Sequence, residues 1–133
     1  MKVLVVDDSA VVREAARREF EPLKCELGEA TTGAEAVELL RTVQGIGVIV
    51  LDVEMPVMDG FAFLAKIREP DSVKMFEPVG NAKVPVVFLT SRDSDENRTR
   101  GLALGAVDFI GKPFMSGELL SRVQMLFNPQ DKY

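Results

Sequence analysis

Four short segments carry the residues that could do chemistry together: Asp7-Asp8-Ser9, Asp52, Thr90-Ser91 and Lys112-Pro113. Each alone has an ordinary explanation. Ser9 or Asp8 suits the first position before a helix, where a side-chain oxygen satisfies a free backbone N–H, and a lone lysine is usually solvated. Together they offer three carboxylates, a hydroxyl and an ammonium. Carboxylates gathered in one cleft repel each other unless a cation joins them. Oxygen-only ligands select a hard ion, and Mg²⁺ commonly keeps several waters beside a few carboxylates; Mn²⁺ takes the same donors. A carboxylate can also be the nucleophile, giving an aspartyl phosphate. Lys112 would then supply a second, compact positive charge, and the Thr90 hydroxyl could meet a phosphoryl oxygen. The chain has no histidine, so a histidine base, ligand or phospho-carrier is excluded.

The elements that must position these groups follow from apolar patterning. Val3–Val6, Val48–Leu51, Val84–Leu89 and Ala106–Ile110 are apolar runs without polar alternation, the pattern of strands buried on both faces. A weaker run, Cys25–Ala30, carries Glu26 and Glu29 and reads as a sheet edge. Between the runs, Val11, Val12, Ala15, Ala16 and Phe20 recur at helical spacing, as do Ala36, Val37, Leu40 and Val43. Leu119, Leu120, Val123, Leu126 and Phe127 form a third stripe, and further helices are expected from near Gly60 and Asp95. Strands and helices alternate, which predicts an α/β fold with a parallel sheet and helices on both faces. In such sheets ligands bind outside the carboxyl ends of the strands, and all five candidate groups follow strands. Asp52 ends a central strand and precedes the turn Met55-Pro56-Val57-Met58-Asp59-Gly60, so it is expected mid-cleft with the acid pair alongside.

At 133 residues the chain is read as one domain, with a core over about residues 2–127 and a short tail at 128–133. Its net charge of −5 argues against direct nucleic-acid binding. No apolar run reaches the roughly 20 residues that span a bilayer, and the start does not read as a signal peptide. The single cysteine, Cys25, excludes an internal disulfide and fits a reducing cytoplasm. The segment Pro70–Lys83, with two prolines and a glycine, is longer than the usual connection in α/β units. It reads as a surface insertion, with a partner contact through Met75 and Phe76 as the sharper alternative.

The acid pair Asp7-Asp8, the run LDVEMPVMDG around Asp52, Thr90 after an apolar strand, and Lys112-Pro113-Phe114 together resemble the receiver domain of two-component response regulators. The resemblance implies a doubly wound, five-stranded parallel sheet in order 2-1-3-4-5 with five helices, flavodoxin-like or CheY-like. It implies Asp52 as phosphoacceptor, with Mg²⁺ held by Asp8 and Asp52, by Asp7, and by the Glu54 backbone carbonyl. Thr90 and Lys112 would contact the phosphoryl group, and Phe109 matches the aromatic that turns inward when Thr90 moves. A cis Lys112-Pro113 bond is expected. The implied partners are a sensor histidine kinase or phosphotransfer protein and a downstream target protein, met through the face of helix 4, strand 5 and helix 5. A monomer or a phosphorylation-dependent dimer fits, with no membrane and no turnover enzymology.

Two positions are local choices. Glu54 and Arg92 carry opposite charge and are expected to pair over the cleft mouth, where they would hinder water from reaching the phosphoryl group; two solvated side chains are the plain alternative. The helix from Asp95 has almost no apolar anchor in its first half and is expected to be loosely held. Other functions stay open. A phosphatase with an aspartyl-phosphate intermediate would need an aspartate where Glu54 stands, and a receiver from a larger regulator would share every feature above.

Overall fold

The computed structural model describes residues 2–69 and 83–127. Five parallel strands, β1 (Lys2–Val6), β2 (Glu26–Ala30), β3 (Ile46–Leu51), β4 (Val86–Thr90) and β5 (Asp108–Gly111), pair in the order β2-β1-β3-β4-β5. Among the described residues five α-helices connect or follow them: α1 (Ala10–Phe20), α2 (Gly33–Thr42), α3 (Gly60–Ile67), α4 (Asp95–Ala103) and α5 (Glu118–Phe127). Both the parallel sheet and its order agree with the expectation. Residues 70–82, which include Met75 and Phe76 of the proline-rich segment, and residues 128–133 lie outside the described residues.

The unbroken apolar runs end where both faces of the sheet are covered. On one face Val3, Val5, Val48, Val50, Val87, Leu89 and Ile110 pack against Ala16 and Phe20 of α1 and Leu119 and Val123 of α5. On the other, Leu4, Val6, Ile49, Leu51, Val86 and Phe88 pack against Ala36 and Leu40 of α2 and Phe61, Phe63, Leu64 and Ile67 of α3. β2 is an edge strand, as its two glutamates suggested. Several expectations need correction: β4 and β5 begin at Val86 and Asp108, two residues later than Val84 and Ala106. β3 begins at Ile46 rather than Val48, because the β1–β3 register shifts between Lys2 and Val3 and leaves Gly47 over. Val11 is also no part of the α1 stripe: it is 79% exposed, and α1 turns only Ala16 and Phe20 fully inward.

Local chemistry fixes the helix starts. Ser9, Thr32, Asp59 and Ser94 each accept a hydrogen bond from a backbone N–H in the first turn of α1, α2, α3 and α4. The start of α5 is satisfied from a distance: Glu19 on α1 accepts from the backbone N–H of Gly117 at 3.0 Å and of Leu120 at 3.2 Å.

The start of α3 is the tightest approach in the site region. A Cβ at Gly60 would lie 2.2 Å from the backbone oxygen of Asp52 and 3.0 Å from the Phe88 ring. Gly60 N–H donates to the Val53 carbonyl at 2.8 Å, which tethers this helix to the residue after Asp52. Gly60→Ala is therefore expected to destabilise the fold by about 3 kcal/mol or more, since the clash is with backbone that cannot swing away; chemical denaturation would measure it.

Candidate functional site

At the carboxyl edge of the sheet, β1 delivers Asp7 and Asp8 and β3 delivers Asp52. Asp7 and Asp52 are buried and Asp8 is exposed, and each can place a carboxylate oxygen within 4.8 Å of the others. β4 ends in Thr90, which is buried, and β5 leads into Lys112. The Lys112-Pro113 peptide bond is cis, as the resemblance implied. The structure brings the five groups picked from the sequence to one edge.

Asp7 is held from four sides. Its N–H donates to the Ala30 carbonyl at 3.0 Å, and its own carbonyl accepts from Arg13 Nη1 at 2.8 Å. Its carboxylate accepts from the Ser9 N–H at 2.9 Å through Oδ1 and from Lys112 Nζ at 2.7 Å through Oδ2. Arg13 is fixed in turn by Glu29 of β2 at 3.2 Å, and Arg17 also pairs with Glu29. Asp52 is braced by its N–H to the Val6 carbonyl at 3.0 Å, and its Oδ1 accepts from the Glu54 N–H at 3.3 Å. Lys112 Nζ lies 3.5 Å from the same Oδ1. One ammonium thus serves two buried carboxylates in a low-dielectric cleft.

Burial pushes the Asp52 carboxyl above its ordinary range, and the neighbouring Asp7 charge pushes it further; Lys112 and the Glu54 N–H pull the other way. The cleft is left electron-rich and short of positive charge. Its donor set is oxygen only, with two buried carboxylates and a third that is solvent-facing, which fits a hydrated hard divalent ion.

Around this centre the remaining residues fall into place. Thr90 Oγ1 accepts from the Arg92 N–H at 3.1 Å. Glu54 meets Arg92 Nε at 3.1 Å and accepts from Ser91 Oγ at 3.1 Å, so the charge pair forms at the cleft mouth with a hydroxyl beside it. Phe109 is 1% exposed and tilted against Phe88, with ring centroids 5.7 Å apart. The turn after Asp52 carries Val57 at φ 70°, bracketed by a Met58 N–H to Pro56 carbonyl bond of 2.8 Å. That is a γ-turn in a region β-branched residues avoid. An apolar groove of 380 Å³ runs from Lys112 past Pro113 and Phe114 to Val11, Val12 and Ala15, which is where the exposed Val11 points.

Sequence reasoning missed Arg13, whose bond to the Asp7 carbonyl has no signature beyond a basic residue in the first turns of α1. It also missed the role of Gly60, although a glycine directly after the capping Asp59 was a legible sign of close approach.

Two measurements test this geometry. In the absence of divalent ions, Asp52→Asn should melt above the wild type near neutral pH, by about 4 °C for each 1 kcal/mol of relieved repulsion. A carboxyl raised on folding favours the folded state while protonated, and that advantage is lost as pH rises through its folded value. The gap should therefore close on acidification, and thermal melts across pH would show it. Val57→Gly should stabilise the chain by about 1 kcal/mol by releasing the backbone from its strained φ; equal denaturation midpoints would reject the strain.

The comparisons with known proteins bear on the family and the fold. The family model of the response regulator receiver domain matches residues 3–124. The chain is 37% identical over 122 residues to the sensor histidine kinase CheAY of Helicobacter pylori, covering 91% of this chain and 14% of that protein. It is 37% identical over 125 residues to the transcriptional regulatory protein PrrA of Mycobacterium tuberculosis, covering 94% and 49%. The chain thus spans about half of PrrA and a small part of CheAY. Among solved structures, the receiver domain of the Francisella response regulator 1452 superposes with a TM-score of 0.80 at 33% identity, covering 97% of this chain and 98% of that one. The chemotaxis response regulator CheY4 of Vibrio cholerae gives 0.77 at 33%, covering 94% and 97%.

Proposed function

Since the chain belongs to the response regulator receiver domain family of two-component signalling, we propose that it is a phosphorylation-activated switch with Asp52 as the acceptor. The observation that carries this reading is the meeting of Asp7, Asp8 and Asp52 at the carboxyl edge of the sheet, with the Lys112 ammonium against Asp7 and Asp52.

In this reading an Asp52 carboxylate oxygen attacks the phosphorus of a phosphohistidine on a sensor kinase or phosphotransfer protein, or of a small acyl phosphate. The new P–O bond forms as the bond to the donor's leaving nitrogen or oxygen breaks. Asp8, Asp52, Asp7 and the Glu54 carbonyl would hold Mg²⁺, or Mn²⁺ in its place, and the ion supplies charge neutralisation on the transferring group. Lys112 exchanges its contact with Asp52 for a phosphoryl oxygen, which its flexible stem allows. Thr90 turns its hydroxyl to another. The added group carries roughly −1.5 to −2 charges, and its pull on Thr90 favours one of two packings around Phe109, a population shift rather than a new fold. The altered surface of α4, β5 and α5 then changes affinity for a target protein or for a second copy. Water attacking phosphorus in line returns Asp52 to its free state, so the chain helps its own charging and discharging without turning over a substrate.

Intact mass measurement after incubation with Mg²⁺ and acetyl phosphate tests the core of this. The wild type should gain one phosphate, and Asp52→Ala and ion-chelated samples should gain none; sustained hydrolysis of p-nitrophenyl phosphate would instead favour a phosphatase. For timing, the Glu54–Arg92 pair is proposed to obstruct the attacking water. Arg92→Ala should shorten the phosphate lifetime several-fold, the pair being exposed and individually weak, about 1 kcal/mol at most. An unchanged decay rate sinks that role.

A further inference from the structure

The helix expected to be loose is held by an arginine that also grips the switch aromatic. We propose that Arg98 is a clamp that keeps Phe109 in its inward packing before any phosphoryl group arrives, and so sets the resting balance of the switch. The inference rests on the proposed function above, and names a regulator of that same site.

Arg98 makes three contacts at once. Nη1 donates to the Phe109 carbonyl at 2.8 Å, Nη2 donates to Asp93 Oδ1 at 2.6 Å, and the guanidinium carbon sits 5.4 Å from the centroid of the Phe109 ring. From α4, Arg98 thus reaches the segment after Thr90 and β5, and these are the three pieces whose relative position would have to change if Thr90 and Phe109 move together. A planar fork is suited to holding a carboxylate and a carbonyl while its face covers a ring.

Elsewhere on α4, Arg100 lies over the Phe61 ring at 4.4 Å and Asn97 donates to the Arg92 carbonyl at 3.1 Å, contacts made to α3 and to the loop before the helix rather than to β5. Gly101 is the one residue of the helix that is fully buried, and a Cβ there would lie 3.1 Å from both the Phe109 and Phe88 rings. The helix is therefore seated directly on the inward ring, with no apolar side chain of its own driven between strand and ring. Asp93 closes the arrangement from below: its side chain lies against Gly111, where a Cβ would be 2.5 Å from Asp93 Oδ2. An outward Phe109 would leave the guanidinium without its ring and the α4–β5 seam without its filler. The fork bonds to a backbone carbonyl and a carboxylate fix the guanidinium in place, and its contact with the ring is what favours the inward state, with the Thr90 hydroxyl still bonded to the Arg92 N–H. Arg98 thus works on the balance of two packings, not on the phosphoryl group. A fraction of molecules already competent raises the apparent response to a phosphodonor in proportion.

The test places 4-fluorophenylalanine at position 109 of the whole chain and reads its ¹⁹F resonance in H₂O and D₂O. The wild type should show one resonance with little solvent isotope shift. Arg98→Met, which keeps an apolar stem and removes the fork, should show a second, solvent-sensitive resonance, and its rate of phosphorylation by acetyl phosphate should fall by about 3-fold to 10-fold. Asp93→Asn should move both readouts the same way by a smaller amount, and it serves if Arg98→Met fails to give a cooperative melt. A single solvent-shielded resonance in either folded variant, with an unchanged rate, overturns the clamp. A wild type that takes up no phosphate defeats the proposed function instead, while the fluorine signal still decides whether Arg98 holds the ring.

Discussion

Two buried carboxylates share one lysine, and much of the molecule is arranged around that shortage of positive charge. Asp7 and Asp52 sit at the ends of adjacent central strands, where the sheet leaves no room for them to separate. Lys112 reaches both, at 2.7 Å and 3.5 Å, but a single ammonium cannot neutralise two carboxylates and the nearby Asp8. The site is consequently under electrostatic tension that an added cation would relieve and that, in the proposed function, a phosphoryl group would redirect. Such tension persists only if the surroundings refuse to relax. Here the refusal is structural: Asp7 is bonded through its N–H, its carbonyl and both carboxylate oxygens, while Asp52 is pinned by β1 and by the start of α3.

The scaffold supplies rigidity unevenly. Toward β1 and β3, strands are buried on both faces and the site residues are fixed by backbone bonds. Toward β5 and α4, the contacts are rings, a guanidinium and a glycine seat. Cation–π contacts and partly exposed ion pairs are individually weak, so two arrangements of this half can lie close in free energy. The chemistry sits on the firm side and the proposed response on the softer side, with Thr90 at the junction.

Much of this was legible in the sequence. Unbroken valine-rich runs told of strands covered on both faces, the glutamates of Glu26–Ala30 marked the edge strand, and the polar residues after each run located the site. Asp52, Asp7, Asp8, Thr90 and Lys112 needed only topology to be brought together. What escaped was whatever depends on side-chain reach across elements. Arg13 finds the Asp7 carbonyl and Arg98 finds the Phe109 carbonyl through long, flexible stems whose targets leave no periodic trace. The first half of α4 has no buried residue, as its composition suggested, and what escaped was Gly101, a glycine that gains contact by having no side chain. Val11 was misassigned because helical spacing cannot tell a core stripe from an adjacent apolar groove.

The capping of α5 by Glu19 has a bearing on how the chain acquires its shape. The N–H groups of Gly117 and Leu120 find their acceptors on a residue some hundred positions earlier. Helix ends closed by neighbours in sequence, as in α1 to α4, can form as soon as a few residues are available. The start of α5 has a local bond from the Met115 N–H to Glu118 Oε1 at 3.0 Å, but the caps on Gly117 and Leu120 form only after α1 has been laid on the sheet, and loop closure over that distance must come first. Assembly of the last helix is thereby made conditional on the first, which ties two distant parts of the polypeptide into one cooperative unit. Opening measured by hydrogen exchange in α5 should report on the seating of α1 as much as on α5 itself.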